Sequence, residues 1–299
     1  MPLRLEGTYT ALVTPFRDEP DQPIDWEALD GLIDAQIAGG VAGLVPCGTT
    51  GESPTLSHEE HARVVERTVV RAAGRTQVIA GAGSNSTREA VGLVQHAERV
   101  GATAVMVVVP YYNRPTQEGL VRHFVEVSKS VQLPVVVYNI PGRTGVDLAP
   151  ESLARICALA PNVICTKEAT GNVVRAQRLV QLLGDRLVVL SGDDALTLPM
   201  IAVGARGVIS VTSNVLPADI VRATQLALAG KLDDARRHHL ALLPVHDAMF
   251  LEASPGPVKA ALALRGLARD VVRSPLCPPT AATRAAIQGA LDAYARGSH

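Results

Sequence analysis

Along this chain, short runs of consecutive apolar, β-favouring residues alternate with longer stretches whose apolar positions recur at helical spacing. Eight runs stand out: Gly7–Thr14, Gly43–Pro46, Gln77–Gly81, Ala104–Val109, Leu133–Tyr138, Asn162–Lys167, Leu187–Ser191 and Gly207–Thr212. Their starts lie 20 to 36 residues apart, room for one strand, one helix and two short loops. Most are apolar at consecutive positions, as in Ala104-Val105-Met106-Val107-Val108-Val109. That is expected of parallel strands covered on both faces. Strand–helix alternation implies a parallel sheet. Eight strands predict a closed (β/α)8 TIM barrel, an α/β fold, with an open doubly wound sheet as the alternative.

Helix-start signals support this division. Ser57-His58-Glu59-Glu60 and Ser86-Thr87-Arg88-Glu89 both fit the capping box, in which serine accepts from a backbone amide and glutamate reaches back. Beyond the eighth run the strand signals stop. Lys231–Ala253, Pro255–Ala268 and Thr280–Arg296 read as a C-terminal helical extension, punctuated by Pro244, Pro255 and Pro257. The organisation expected is a barrel over residues 1–230 with an extension over residues 231–299 packed on it.

Composition narrows the functional classes. A chain of 299 residues should keep about 12,000 Å² exposed when folded, burying a core that needs no disulfide or metal. With 28 basic against 29 acidic side chains, a nucleic-acid surface is not expected, because phosphate binding needs a clustered basic excess. No apolar run reaches the roughly 20 residues that span a bilayer, and the first seven residues lack the apolar segment of a secretory leader. Cys47, Cys157, Cys165 and Cys277 are scattered without a Cys-x-x-Cys pair, which suits reduced thiols in a cytoplasmic protein. Metal is not expected: none of the eight histidines ends a run, and His58 and His61 lack an evident third ligand. No dinucleotide fingerprint follows the first run, so no cofactor is expected.

In a barrel the chemistry sits where the strands end. The sixth run closes Val163-Ile164-Cys165-Thr166-Lys167-Glu168. Alternation puts Val163, Cys165 and Lys167 on one face, so the lysine amine should lie inside, near the mouth. Burying an ammonium there is costly, which favours the neutral amine that attacks carbonyls and forms a Schiff base. A lysine paired with Glu168, or gripping a phosphate, fits this run equally well. The only other lysines, Lys129, Lys231 and Lys259, fall in helical or turn segments and are expected in solvent. The fifth run ends at Tyr138, whose phenol could relay a proton, donate to a carboxylate or merely fill the barrel. Arg143, in the turn beyond, suits bidentate capture of a carboxylate or lies solvated. Gly48-Thr49-Thr50-Gly51-Glu52 is either a cradle for a small anion or a tight turn whose threonines cap a helix. Tyr111 and Tyr112 are adjacent, so they diverge and serve different ends.

Several of these segments, in order, resemble the pyruvate-dependent Schiff-base aldolase and lyase family: Gly48–Glu52, Tyr111–Pro115, Tyr138–Gly145, Lys167–Gly171, Ser191–Asp194 and the helix start Pro255–Lys259. The resemblance implies condensation of pyruvate with L-aspartate 4-semialdehyde, with no cofactor beyond a covalent Schiff base on Lys167. It implies a proton relay of Tyr138, Thr50 and Tyr112, the last reaching in from a neighbouring subunit. Thr49 and Thr50 would hold the pyruvate carboxylate and Arg143 that of the semialdehyde, with backbone near Gly192 and Ile209 completing the pocket. The Tyr112 role implies an oligomer, which the resemblance suggests is a homotetramer built as a dimer of dimers. Ser53, His58, His61, Asn85, Glu89 and Tyr111 match positions where some members bind L-lysine as an inhibitor, although Pro54 stands where alanine is expected. The same lysine chemistry would serve an aldolase or decarboxylase acting on another 2-keto acid, and a silent keto-acid sensor is the reading from outside enzymology.

Overall fold

Eight parallel strands close on themselves in chain order: β1 (Gly7–Ala11), β2 (Gly43–Val45), β3 (Gln77–Gly81), β4 (Ala104–Val108), β5 (Val135–Asn139), β6 (Val163–Glu168), β7 (Val188–Ser191) and β8 (Gly207–Ser210). Closure rests on β1 pairing with β8, from Gly7↔Gly207 to Thr10↔Ser210. The fold is therefore the barrel and not the open sheet. The computed structural model describes residues 4–297; residues 1–3 and 298–299, and with them part of the leader reading and the outer domain limits, lie outside the described residues. Every run holds one strand, and only β5 and β6 extend beyond it, each by one residue. The exposed area is 12667 Å², close to the size-based expectation.

The outer layer comprises α1 (Trp26–Ala38), α2 (His58–Ala72), α3 (Thr87–Arg99), α4 (Gln117–Lys129), a single turn α5 (Pro141–Thr144), α6 (Pro150–Leu159), α7 (Val173–Leu183), α8 (Thr197–Ala202) and α9 (Pro217–Leu228). Then come α10 (Leu232–Ala248), α11 (Gly256–Leu264) and α12 (Ala281–Arg296). Among the described residues no helix is long and apolar enough to cross a membrane. No disulfide forms among the four cysteines, and only Cys277 is exposed.

Three local expectations fail for identifiable reasons. Pro244 does not interrupt α10. A helix-interior proline costs roughly 3 kcal/mol, and burial of Leu242 and Val245 on either side holds the helix through it. The capping box at Ser57 forms, with Glu60 Nα 3.1 Å from Ser57 Oγ and Ser57 Nα 2.9 Å from Glu60 Oε2. The one at Ser86 does not: Ser86 makes no side-chain cap, because Ser84 Oγ already accepts from the Ser86 amide at 3.0 Å and hydrogen-bonds Glu89 itself.

The third failure is Lys259. Lys129 and Lys231 are exposed, but Lys259 is wholly buried. Its ammonium is paired with Glu52, donates to Val271 O at 2.9 Å and sits 4.1 Å from the Phe16 ring centroid. Burial pulls it down to about 8, with Glu52 pulling the other way. A signal was present: Gly256–Leu264 carries no charge except this one, and a helix apolar all round is a buried helix. Val258, Ala260, Ala261 and Leu262 of α11 join the same core as the strands.

Candidate active site

Lys167 stands one residue from the C-terminal end of β6 and is 5% exposed. In the sheet it pairs with Tyr138 of β5, so the two side chains leave the barrel wall as neighbours. The amine lies 4.2 Å from the centroid of the tyrosine ring. The register slips between Val135 and Val136, skipping Ile164. Val163 and Cys165 are fully buried and Ile164 between them is only partly so, and the extra residue marks a bulge in the pairing.

Glu168, the carboxylate weighed as the lysine's partner, is turned elsewhere. It is buried, accepts from Arg175 Nε at 3.1 Å and takes the Thr170 amide at 3.0 Å. Arg175 also bonds Leu148 O and reaches Asp147 at 3.4 Å. Asp147 in turn accepts from Asn139 Nδ2 at 2.9 Å. This chain of bonds ties the end of β6 to the loop after β5 that carries Arg143. Among the described residues no carboxylate pairs with the Lys167 amine. Sequence reasoning missed Arg175, because nothing in its own segment marks it as the partner of a residue at a strand end.

Gly192, after β7, passes close to the lysine. A Cβ there would sit 3.1 Å from Lys167 Cε and 2.6 Å from Ala169 Cβ, so only glycine leaves the amine its space. Its amide donates to Glu168 O at 2.8 Å. Ile209 is fully buried in β8, opposite Tyr9.

A cavity of about 490 Å³ is lined by Thr49, Tyr138 and Arg143 together with Ser53, His58, His61, Glu89 and Tyr111; Lys167, Gly192 and Ile209 are not among its lining residues. Residues expected in two separate sites thus share one cavity in the single chain. Thr50 is buried and Asn85 half-buried, and neither lines it. Tyr112 is 89% exposed with φ 70°, so within one chain it stands apart from Tyr138. Pro54 fits because it is the second residue of the 3-10 turn Ser53–Thr55, where its amide would lack a partner within the turn in any case.

In the same cavity Glu89 lies 3.3 Å from His58 Nε2, the geometry that replaces the expected cap. Burial pulls His61 down to about 4, with the Gly81 backbone pulling the other way, and among the described residues neither ring nitrogen has a partner within hydrogen-bond geometry. A neutral imidazole with a free lone pair is suited to accept from an ammonium. Burial, then Glu89, pushes the Tyr111 phenol up. Among the described residues no group of three or more His, Cys, Asp or Glu is placed to hold a metal.

A buried amine at a barrel mouth beside a phenol, with an arginine on the cavity that the phenol lines, is equipped for carbonyl chemistry on a carboxylate-bearing substrate. The comparisons with known proteins specify the class further. Residues 4–294 match the model of the dihydrodipicolinate synthetase family, and the chain belongs to that family. It is 56% identical over 290 residues to the 4-hydroxy-tetrahydrodipicolinate synthase of Sorangium cellulosum, covering 97% of this chain and 96% of the relative. Among solved structures it superposes with TM-score 0.95 on the chloride-inhibited dihydrodipicolinate synthase of Acinetobacter baumannii complexed with pyruvate (39% identity, 98% of this chain and 99% of the other). It superposes with TM-score 0.94 on the enzyme of Cyanidioschyzon merolae with lysine bound (35% identity, 97% and 98%).

Proposed function

We propose that this protein is a lyase that condenses pyruvate with L-aspartate 4-semialdehyde to give 4-hydroxy-tetrahydrodipicolinate, through a Schiff base on Lys167. The observation that carries the mechanism is the buried Lys167 amine beside Tyr138, with Glu168 diverted to Arg175. The amine attacks the pyruvate ketone and water leaves, giving an iminium. That cation accepts the electron pair released when a methyl proton departs. The resulting enamine carbon attacks the aldehyde carbon, whose oxygen takes up a proton. The amino group of the semialdehyde then attacks the imine carbon, closes a six-membered ring and expels Lys167. One water is lost overall and no redox partner is needed.

In this reading Tyr138 and Thr50 move the protons, and Tyr112 joins them from a second copy of the chain. That role accounts for an exposed tyrosine held in a left-handed backbone; it calls for a second copy at the site, and the assembly proposed is a homotetramer. Thr49 and Thr50 hold the pyruvate carboxylate, with backbone at Gly192 and Ile209. Arg143 holds the carboxylate of the semialdehyde from its exposed position on the cavity rim. No cofactor enters the scheme. The direct test is product formation from the two substrates, run beside Arg143→Ala. The variant should raise KM for the semialdehyde by about 10- to 100-fold, the worth of a hydrogen bond to a charged group, and leave pyruvate adduct formation unchanged. An unchanged semialdehyde KM would remove Arg143 from this role, and a preference for another aldehyde would reassign the substrate.

The rest of the cavity lining suits L-lysine as an effector. Glu89 meets the α-ammonium, Asn85 and Tyr111 serve the carboxylate, and Ser53, His58 and neutral His61 surround the side-chain amine. Titrating turnover with L-lysine should give saturable inhibition; full activity at saturating lysine would discard the effector reading.

A further inference from the structure

The loop that carries Thr49 and Thr50 is held from behind by the C-terminal part of the chain. Within it the Glu52 amide donates to Thr49 O and the Gly51 amide to Gly48 O, each at 3.1 Å. Thr50 is thus the second residue of a tight turn that ends at Glu52. Glu52 is itself left-handed, with φ 54° and ψ 37°, a backbone state unfavourable for any residue with a Cβ. Something must hold it there.

Both carboxylate oxygens of Glu52 are engaged, and both partners come from beyond α10. Oε1 meets the Lys259 ammonium of α11, and Oε2 accepts the Arg273 amide at 3.0 Å. The pair is fully buried on both sides. The Arg273 guanidinium spans Glu60 with two bonds of 2.7 Å, donates to Thr55 O at 3.0 Å and lies 4.3 Å from the Phe16 centroid. On the loop's inner side Thr14 Oγ1 donates to Gly51 O at 2.7 Å. The mechanism above uses none of these charges directly.

We propose that Lys259 is a positioning residue: its ion pair with Glu52 fixes the turn that aims Thr50 into the proton relay. The inference rests on the proposed Schiff-base chemistry. It gives the C-terminal helices a part in proton transfer, although none of their residues lines the cavity.

The test separates imine formation from proton removal. Wild type and Lys259→Met are compared at saturating pyruvate without the aldehyde, for borohydride-trapped adduct on Lys167 and for deuterium uptake into the pyruvate methyl group in D2O. Folded fraction is followed by circular dichroism. In Lys259→Met the adduct should stay within about twofold of wild type, while deuterium uptake per adduct drops at least tenfold. Equal uptake per adduct, or uptake and adduct declining together with the folded fraction, would overturn the proposal. Should Lys259→Met fail to fold, Glu52→Gln keeps the side-chain size and an acceptor for the Arg273 amide while removing the charge. It should show the same loss of uptake per adduct, and wild-type uptake in it overturns the proposal. A wild-type protein that forms no adduct overturns the underlying Schiff-base reading instead.

Discussion

Lys167→Ala should lower turnover by at least about four orders of magnitude, a loss of roughly 5.5 kcal/mol of transition-state stabilisation. The size follows from what is removed. In the proposed mechanism the iminium and the enamine are both carried on the lysine nitrogen, and no second lysine stands ready to replace it: Lys129 and Lys231 are in solvent and Lys259 is enclosed with Glu52. The change should also erase the borohydride-trapped pyruvate adduct, read by intact mass and peptide mapping. Stability should change little by comparison, since the amine takes part in no ion pair. A variant that retained a tenth of wild-type turnover would eliminate the Schiff-base mechanism. Binding of pyruvate without turnover in the wild type would move the sensor reading forward.

Tyr138→Phe should cost about 10²- to 10³-fold in kcat, the range for removing a positioned proton donor and acceptor. The substitution is sharp because it takes one oxygen and leaves the ring. Tyr138 is 4% exposed and its ring packs against the Lys167 amine at 4.2 Å. The phenylalanine ring preserves that contact and the packing, so the imine should still trap at saturating pyruvate. Loss confined to kcat, with trapping retained, identifies the hydroxyl as a proton carrier. A change under threefold in kcat would assign Tyr138 to filling the barrel, the other role its strand position allows.

The strands were legible because double burial leaves an unbroken apolar run, and eight such runs at regular spacing leave few topologies. Lys167 and Tyr138 were legible for a related reason: a polar residue closing an apolar run must emerge at the mouth. Their contact depends on the β5–β6 register, which the Ile164 bulge sets and neither strand reveals alone. The cap at Ser86 misled because Ser84, two residues earlier, competes for the same groups, and a pattern of spacings does not rank competitors. Lys259 misled because residue type outweighed context, although its helix has no other charge. Its partner Glu52 was in view as part of a loop motif, with no local sign of where its carboxylate would turn. Pairings between distant segments are settled by three-dimensional packing, and single-segment patterns do not carry them.

The bond between Glu52 and Lys259 joins residues 207 positions apart. At ordinary synthesis rates of about 5–20 residues per second, the loop emerges roughly 10–40 s before the side chain that neutralises it. Until then a growing chain could pair its first strands only with Glu52 left as an uncompensated carboxylate facing the forming interior. The barrel's second loop is therefore among the earliest parts to be made and among the last to be locked.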